Sequence, residues 1–216
     1  MKWDDRYFAR DFDASKNIPA KTIRELSRVV LKVPSFVTQH DHYWALLRTT
    51  KPTHRELVYW LVKNIYYDHK QNGMIEHFGQ LLDAPYVLHS FVCNSSSHDN
   101  PYTEDDKHQI QENNIFFHAG AIVNKALEYD LDTCIIACRE GIAKRNIDEL
   151  RAEYFGLLSK CYSDFPDLDA EQNEVFPNLS IGLGYGIKHE NKFTIHRHGF
   201  KWISYKSNHK LPNLIR

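Results

Sequence analysis

The chain has 216 residues, 42% of them hydrophobic and 25% charged, with a formal net charge of −1. That length can bury a core that needs no disulfide or metal to staple it. The near-neutral charge argues against a dedicated nucleic-acid binder, and no apolar run approaches the ~18 residues of a membrane-spanning helix.

The opening Met1-Lys2-Trp3-Asp4-Asp5-Arg6 is charged at once, so no secretory leader is expected and the cytoplasm is the expected compartment. Cysteines stand at 93, 134, 138 and 161 without a CxxC pair, which suits free thiols in a reducing compartment. Cys134 and Cys138 fall in one predicted strand. Four residues of strand span roughly 13 Å, too far for one metal ion to bridge.

Up to Asn17 the chain is polar and lacks a helical period. Ile23, Leu26, Val29, Val30 and Val33 then form a helical stripe, with Pro19 in its first turn and Pro34 as its stop. Residues 35–41 read as a loop. Tyr43–Leu47 reads as a strand buried on both faces. A helix is predicted from Pro52 to about Gln71, with Leu57, Trp60, Leu61, Asn64 and Ile65 along one side, and a shorter one from Ile75 to Leu82. Tyr86–Cys93 is a second buried strand. Asn94–Pro101 is the clearest loop, expected with the segment up to Gln109 to act as a mobile lid.

A long helix follows from about Glu104 to Tyr129, its second half rich in small residues. Leu131–Cys138 is a third strand, Asn146–Cys161 a helix, and Phe176–Gly186 a fourth strand ending in glycines. The tail from Ile187 is basic and aromatic, and offers a further strand candidate. No repeat or linker divides the chain, so residues 1–216 are expected to form one domain. Alternating helices and buried strands point to an α+β or α/β layered fold with helices covering a sheet.

No P-loop, dinucleotide GxGxxG, HExxH or nucleophile elbow is present. Gly182-Leu183-Gly184-Tyr185-Gly186 is a GxGxG, but no helix is predicted after it, so a strand end and tight turn explains it better than a phosphate cradle. Thirteen histidines are scattered along the chain. His40 with His42, and His196 with His198, could each share a strand face and hold a metal. Neither pair has a third ligand at recognisable spacing, so no metal site is expected. Arg6 and Arg10, four apart at the start, suit a phosphate clamp, because guanidinium forks match phosphate oxygens.

These segments together resemble the FMN-dependent nitroreductases. The opening Arg6-Tyr7-Phe8-Ala9-Arg10-Asp11-Phe12 is similar to that family's Arg-x-Ser-x-Arg/Lys-x-Phe. Pro34-Ser35-Phe36-Val37-Thr38-Gln39-His40-Asp41-His42 resembles its Pro-Ser-Ser-x-Asn-x-Gln-Pro-Trp loop. Leu82-Asp83-Ala84-Pro85-Tyr86-Val87 looks like its Asp-Ala-Pro approach to the second strand. Ala119–Leu127 resembles the central dimer helix, Leu131–Cys138 the Leu-Gly-Thr-x-x-Ile-Gly-Gly strand, and Ile181–Gly186 the late strand ending in Gly-Tyr. Six such matches occur in order and span nearly the whole chain.

The resemblance implies a nitroreductase-like α+β fold, with a central, mostly antiparallel sheet covered by helices, in an interleaved homodimer. It implies FMN as cofactor and NAD(P)H as reductant, with hydride passing through flavin N5 to a nitroaromatic, quinone or similar small-molecule acceptor. The flavin carries the chemistry and the protein supplies orientation and electrostatics, so no catalytic side chain is expected. The implied cofactor-binding residues are Arg6, Tyr7, Phe8 and Arg10 from the opening, then Ser35, Phe36 and Thr38 from the loop. His77 and Gln80 lie ahead of Asp-Ala-Pro, Ile136, Ala137 and Cys138 at the strand end, and Arg197 in the tail. Arg6 and Arg197 would hold the phosphate, and Arg10 would stabilise charge on the reduced ring.

Departures from the family pattern are Phe8 for Ser, Phe36 for Ser, Thr38 for Asn, Gln80 for Lys, and Ala137-Cys138 for Gly-Gly. They favour an alternative of another class: a flavin-binding or degenerate dimeric protein of the same fold, without turnover.

Overall fold

The computed structural model describes residues 9, 11–33, 42–66, 80–95, 104–137, 147–162 and 173–187. In chain order these give α1 (Ala20–Val29), β1 (His42–Arg48), α2 (Pro52–Leu61), α3 (Gln80–Asp83), β2 (Tyr86–Ser95), α4 (Glu104–Glu128), β3 (Asp132–Ala137), α5 (Ile147–Cys161) and β4 (Asn173–Gly184). A π-helical turn, Val62–Tyr66, continues α2. The four strands form one sheet in the order β1-β2-β4-β3, with every pair antiparallel.

Local sequence explains where the elements begin and end. Pro19 precedes α1, and its carbonyl accepts from Ile23 N at 3.2 Å. Pro52 opens α2 in the first turn, where its missing N–H leaves nothing unsatisfied. At the end of α4, Leu131 N donates to Ala126 O at 3.0 Å while Asp130 takes φ 54. A left-handed residue there closes the helix and turns the chain straight into β3.

The sheet has two buried faces. On one, Ala45, Leu47, Val87, Phe91, Cys134, Ile136 and Val175 meet Leu57, Val58, Trp60 and Leu61 of α2 and Tyr154, Leu157 and Leu158 of α5. On the other, Leu88, Val92, Leu179, Ile181 and Leu183 meet Ile23 and Leu26 of α1 and Ile115, Ala119, Ile122 and Ala126 of α4. The fold is thus three layers, helices on both sides of the sheet. No helix among the described residues is long and apolar enough to cross a membrane.

Three expectations are corrected. β1 is not buried on both faces: Tyr43 and Arg48 are exposed and Trp44 and Leu46 half-buried, because β1 is at the edge of the sheet among the described residues. β2 runs on through Asn94 and Ser95, which pair with Glu174 and Asn173. Those two residues are therefore sheet rather than loop, while residues 104–109 lie in α4, the helix expected from Glu104. β4 begins at Asn173, three residues earlier than expected, because this extension of β2 gives it a partner. The remaining loop residues, 96–101, the predicted helix from Ile75 up to residue 79, and the tail from residue 188 lie outside the described residues.

Candidate functional site

Of the cofactor-binding residues expected from the sequence, Arg6, Tyr7, Phe8, Arg10, Ser35, Phe36, Thr38, His77, Cys138 and Arg197 lie outside the described residues. Gln80, Ile136 and Ala137 lie within them. Ile136 is buried and pairs with Ser180 on β4; Ala137 pairs with Leu179, closes β3 and is exposed. Gln80 opens α3 half-buried, its carbonyl accepting from Ala84 N at 3.1 Å. Leu81 of α3 and Ala84 just after it share a hydrophobic cluster with Cys134 and Ile136. α3 and Ile136 therefore belong to the same side of the sheet.

The described residues around Arg10 are anchored to the sheet. Ala9 N donates to Thr133 O on β3 at 3.1 Å, Ile187 N to Asp11 O at 2.9 Å, and Asp13 N to Tyr185 O at 2.8 Å. Phe12 makes an antiparallel bridge to Gly186, and Gly186 N donates to the buried Asp132 carboxylate at 2.8 Å. Ala9, fully buried, and Asp11 flank Arg10 in sequence, and both are fixed at the β3–β4 end of the sheet.

The glycine run of β4 is a packing feature. A Cβ at Gly182 would stand 2.6 Å from Cys134 Sγ and 3.0 Å from Ala84 Cβ, and one at Gly184 2.4 Å from Phe12 Cδ1. Protein side chains fill the space the missing Cβ atoms leave, so no phosphate cradle forms at these two glycines.

Two buried polar clusters were not legible in the sequence. On the α2/α5 side, His89 of β2 lies with Nδ1 2.9 Å from Ser180 Oγ and Nε2 2.6 Å from Tyr154 Oη, all three fully buried. Burial lowers the His89 pKa from 6.5 to about 3, so the ring is neutral. On the α1/α4 side, buried His42 and His118 stand with Nε2 and Nδ1 3.1 Å apart. The only hints were a polar residue inside the apolar strand Tyr86–Cys93 and the surplus of histidines. Cys134 is a buried free thiol as expected, and burial pushes its pKa up to about 12, which leaves it unreactive.

At the end of β3, Ile136 is buried on the face that α3 also packs against, while the small, exposed Ala137 points to the opposite face. The small, exposed Ala137 fits a site in which a flat heterocycle lies against the end of β3. The nucleophile at hand, Cys134, is buried and protonated, and the neutral His89 is sealed from solvent.

The chain matches no protein-family model and no curated protein. Solved structures do match it. A BluB-like flavoprotein from Clostridium difficile 630 superposes with a TM-score of 0.57 at 13% identity, covering 93% of this chain and 97% of that one. A nitroreductase family protein from Clostridium novyi NT gives 0.56 at 14% identity, over 88% and 86%. A nitroreductase with bound FMN from Bacteroides fragilis NCTC 9343 gives 0.54 at 15%, over 90% and 93%. The chain has the nitroreductase fold, as its sequence resemblance implied.

Proposed function

We propose that this protein is an FMN-dependent NAD(P)H oxidoreductase of the nitroreductase type, a cytoplasmic homodimer that reduces a nitroaromatic, quinone or similar small acceptor. The observation that carries this reading is a fold shared over nine-tenths of both chains with a nitroreductase that binds FMN.

Bound FMN would supply the hydride chemistry. The chain's own residues would bind and orient it. Arg6 and Arg197 would pair with the phosphate, Arg10 would place a positive charge near the ring, and Ile136 and Ala137 would supply contacts at the end of β3. Ala9 and Asp11, the sequence neighbours of Arg10, are held against the sheet, which supports a role for this stretch of chain at the site. Tyr7, Phe8, Ser35, Phe36, Thr38, His77, Gln80 and Cys138 would complete the contacts.

The substitutions at Phe8, Phe36, Thr38 and Gln80 favour a second reading, a flavin binder of the same fold without turnover. One experiment separates the two. Protein purified with FMN and mixed anaerobically with NADH or NADPH bleaches if it is an enzyme, and regains its colour when a quinone or nitroaromatic is added. Protein that stays yellow is a binder. Protein that takes up no FMN overturns both readings.

A further inference from the structure

His42 opens β1, and His118 sits midway along α4. The fold brings together residues 76 positions apart, with His42 9% and His118 2% exposed. Their facing nitrogens, Nε2 and Nδ1, are 3.1 Å apart, and the ring centroids are 4.9 Å apart with planes at 46°.

Those two distances carry information together. A straight N–H···N bond of that length would hold the centroids about 5.4 Å apart. The observed centroids are closer, so at least one ring nitrogen points off the line joining the pair. Two imidazoles sharing one ion at about 2.05 Å, with an N–ion–N angle of about 100°, reproduce both separations at once.

α4 carries two buried amides at helical spacing from His118. Asn114, 1% exposed, is one helical turn before His118, and Gln111, 7% exposed, is one turn before that. Residues at this spacing line one face of a helix. Among the described residues no third His, Cys, Asp or Glu joins the pair to make a metal-binding group, so the further donor is an amide oxygen.

We propose that His42 and His118, with the side-chain oxygen of Asn114, form a binding site for a divalent transition-metal ion between β1 and α4. Two imidazoles and an amide suit Zn²⁺, Co²⁺, Ni²⁺ or Cu²⁺, whereas Mg²⁺ and Ca²⁺ prefer all-oxygen shells. Only three protein donors leave a coordination position for water or an exogenous ligand. The inference stands on the spacing of the two buried imidazoles and the buried amide one turn away, and is independent of the flavin reading.

The test uses untagged full-length protein stripped with EDTA, titrated with Co²⁺ by visible absorption and with ZnCl₂ by calorimetry. The expected result is about one ion per chain, with Mg²⁺ and Ca²⁺ inert. His118→Gln and His42→Gln should each weaken Zn²⁺ at least tenfold, with folding checked by circular dichroism. Asn114→Asp should tighten it, because a carboxylate replaces the amide oxygen. Replacing both tail histidines, His196→Ala with His198→Ala, should leave the affinity unchanged. Absence of stoichiometric Zn²⁺ and Co²⁺ binding in the wild type would overturn the site. So would binding that survives His118→Gln, or that disappears with the tail pair.

Discussion

Gly182 and Cys134 pair in register across β4 and β3 so closely that a methyl on the glycine would stand 2.6 Å from the cysteine sulfur. Ala84, on the turn after α3, closes the other side at 3.0 Å. Gly182→Ala should therefore destabilise the fold by about 1–3 kcal/mol, the usual range for overpacking a core. Adding Cys134→Ala should restore part of the loss by removing the sulfur. Urea unfolding of both single variants and the double variant measures this coupling. A Gly182→Ala protein as stable as wild type would refute the packing account.

His89 makes stability pH-dependent in a defined direction. Its ring is neutral in the fold, with a pKa of about 3 against an unfolded reference of 6.5. Between those values the unfolded chain binds the proton and the folded chain does not. Stability attributable to His89 is thus intact above 6.5 and falls as the pH drops, by at most about 1.4 kcal/mol per pH unit, until the loss levels off near 3. His89→Phe should flatten the stability profile between pH 6 and 4 by about one proton. Equal slopes for wild type and variant in that window would show that His89 titrates alike in both states.

The proposed phosphate clamp separates FMN from riboflavin. A desolvated guanidinium–phosphate pair contributes about 1.5–3 kcal/mol, roughly ten- to a hundredfold in affinity. Arg6→Ala should weaken FMN binding by that factor and leave riboflavin, which lacks the phosphate, nearly unaffected. Arg10→Ala should lower the reduction potential of the bound flavin, because its proposed partner is the ring. Fluorescence titration and spectroelectrochemistry read the two effects. Small, equal changes for both ligands on Arg6→Ala would remove it from the clamp.

Homodimer formation is expected to use α4. Phe116 and Phe117 are 52% and 51% exposed, on the side of α4 away from buried Ile115, Ala119 and Ile122. Gly120, one turn beyond Phe116, has open space where a Cβ would stand. Burying such a face against a second copy would remove apolar area from water and let two helices come close. Sedimentation should show a dimer at micromolar concentration, shifted toward monomer by Phe116→Glu. A monomeric wild type would overturn the shared-interface reading.

The sequence by itself determined the order and type of the elements. Hydrophobic period and punctuation placed α1 after Pro19, α2 at Pro52, β2 after Pro85 and the 25-residue α4. These are local properties, written in which neighbours are apolar and where proline ends or starts a helix. Ordered motif matches added the fold, which the solved structures share. Only the tertiary structure decided what depends on partners distant in sequence. Among the described residues β1 lies at the edge of the sheet, half-exposed despite its apolar run, because strand order is not encoded in local period. β2 gained Asn94 and Ser95 because β4 was there to pair with them, overriding their preference for turns. Gly182 and Gly184 became packing positions once Cys134 and Phe12 lay against them. The His89–Ser180–Tyr154 network and the His42–His118 pair arise between residues 65 to 91 positions apart. A side chain's chemistry is set by what folding places beside it, and no spacing rule along one strand or helix reaches that far.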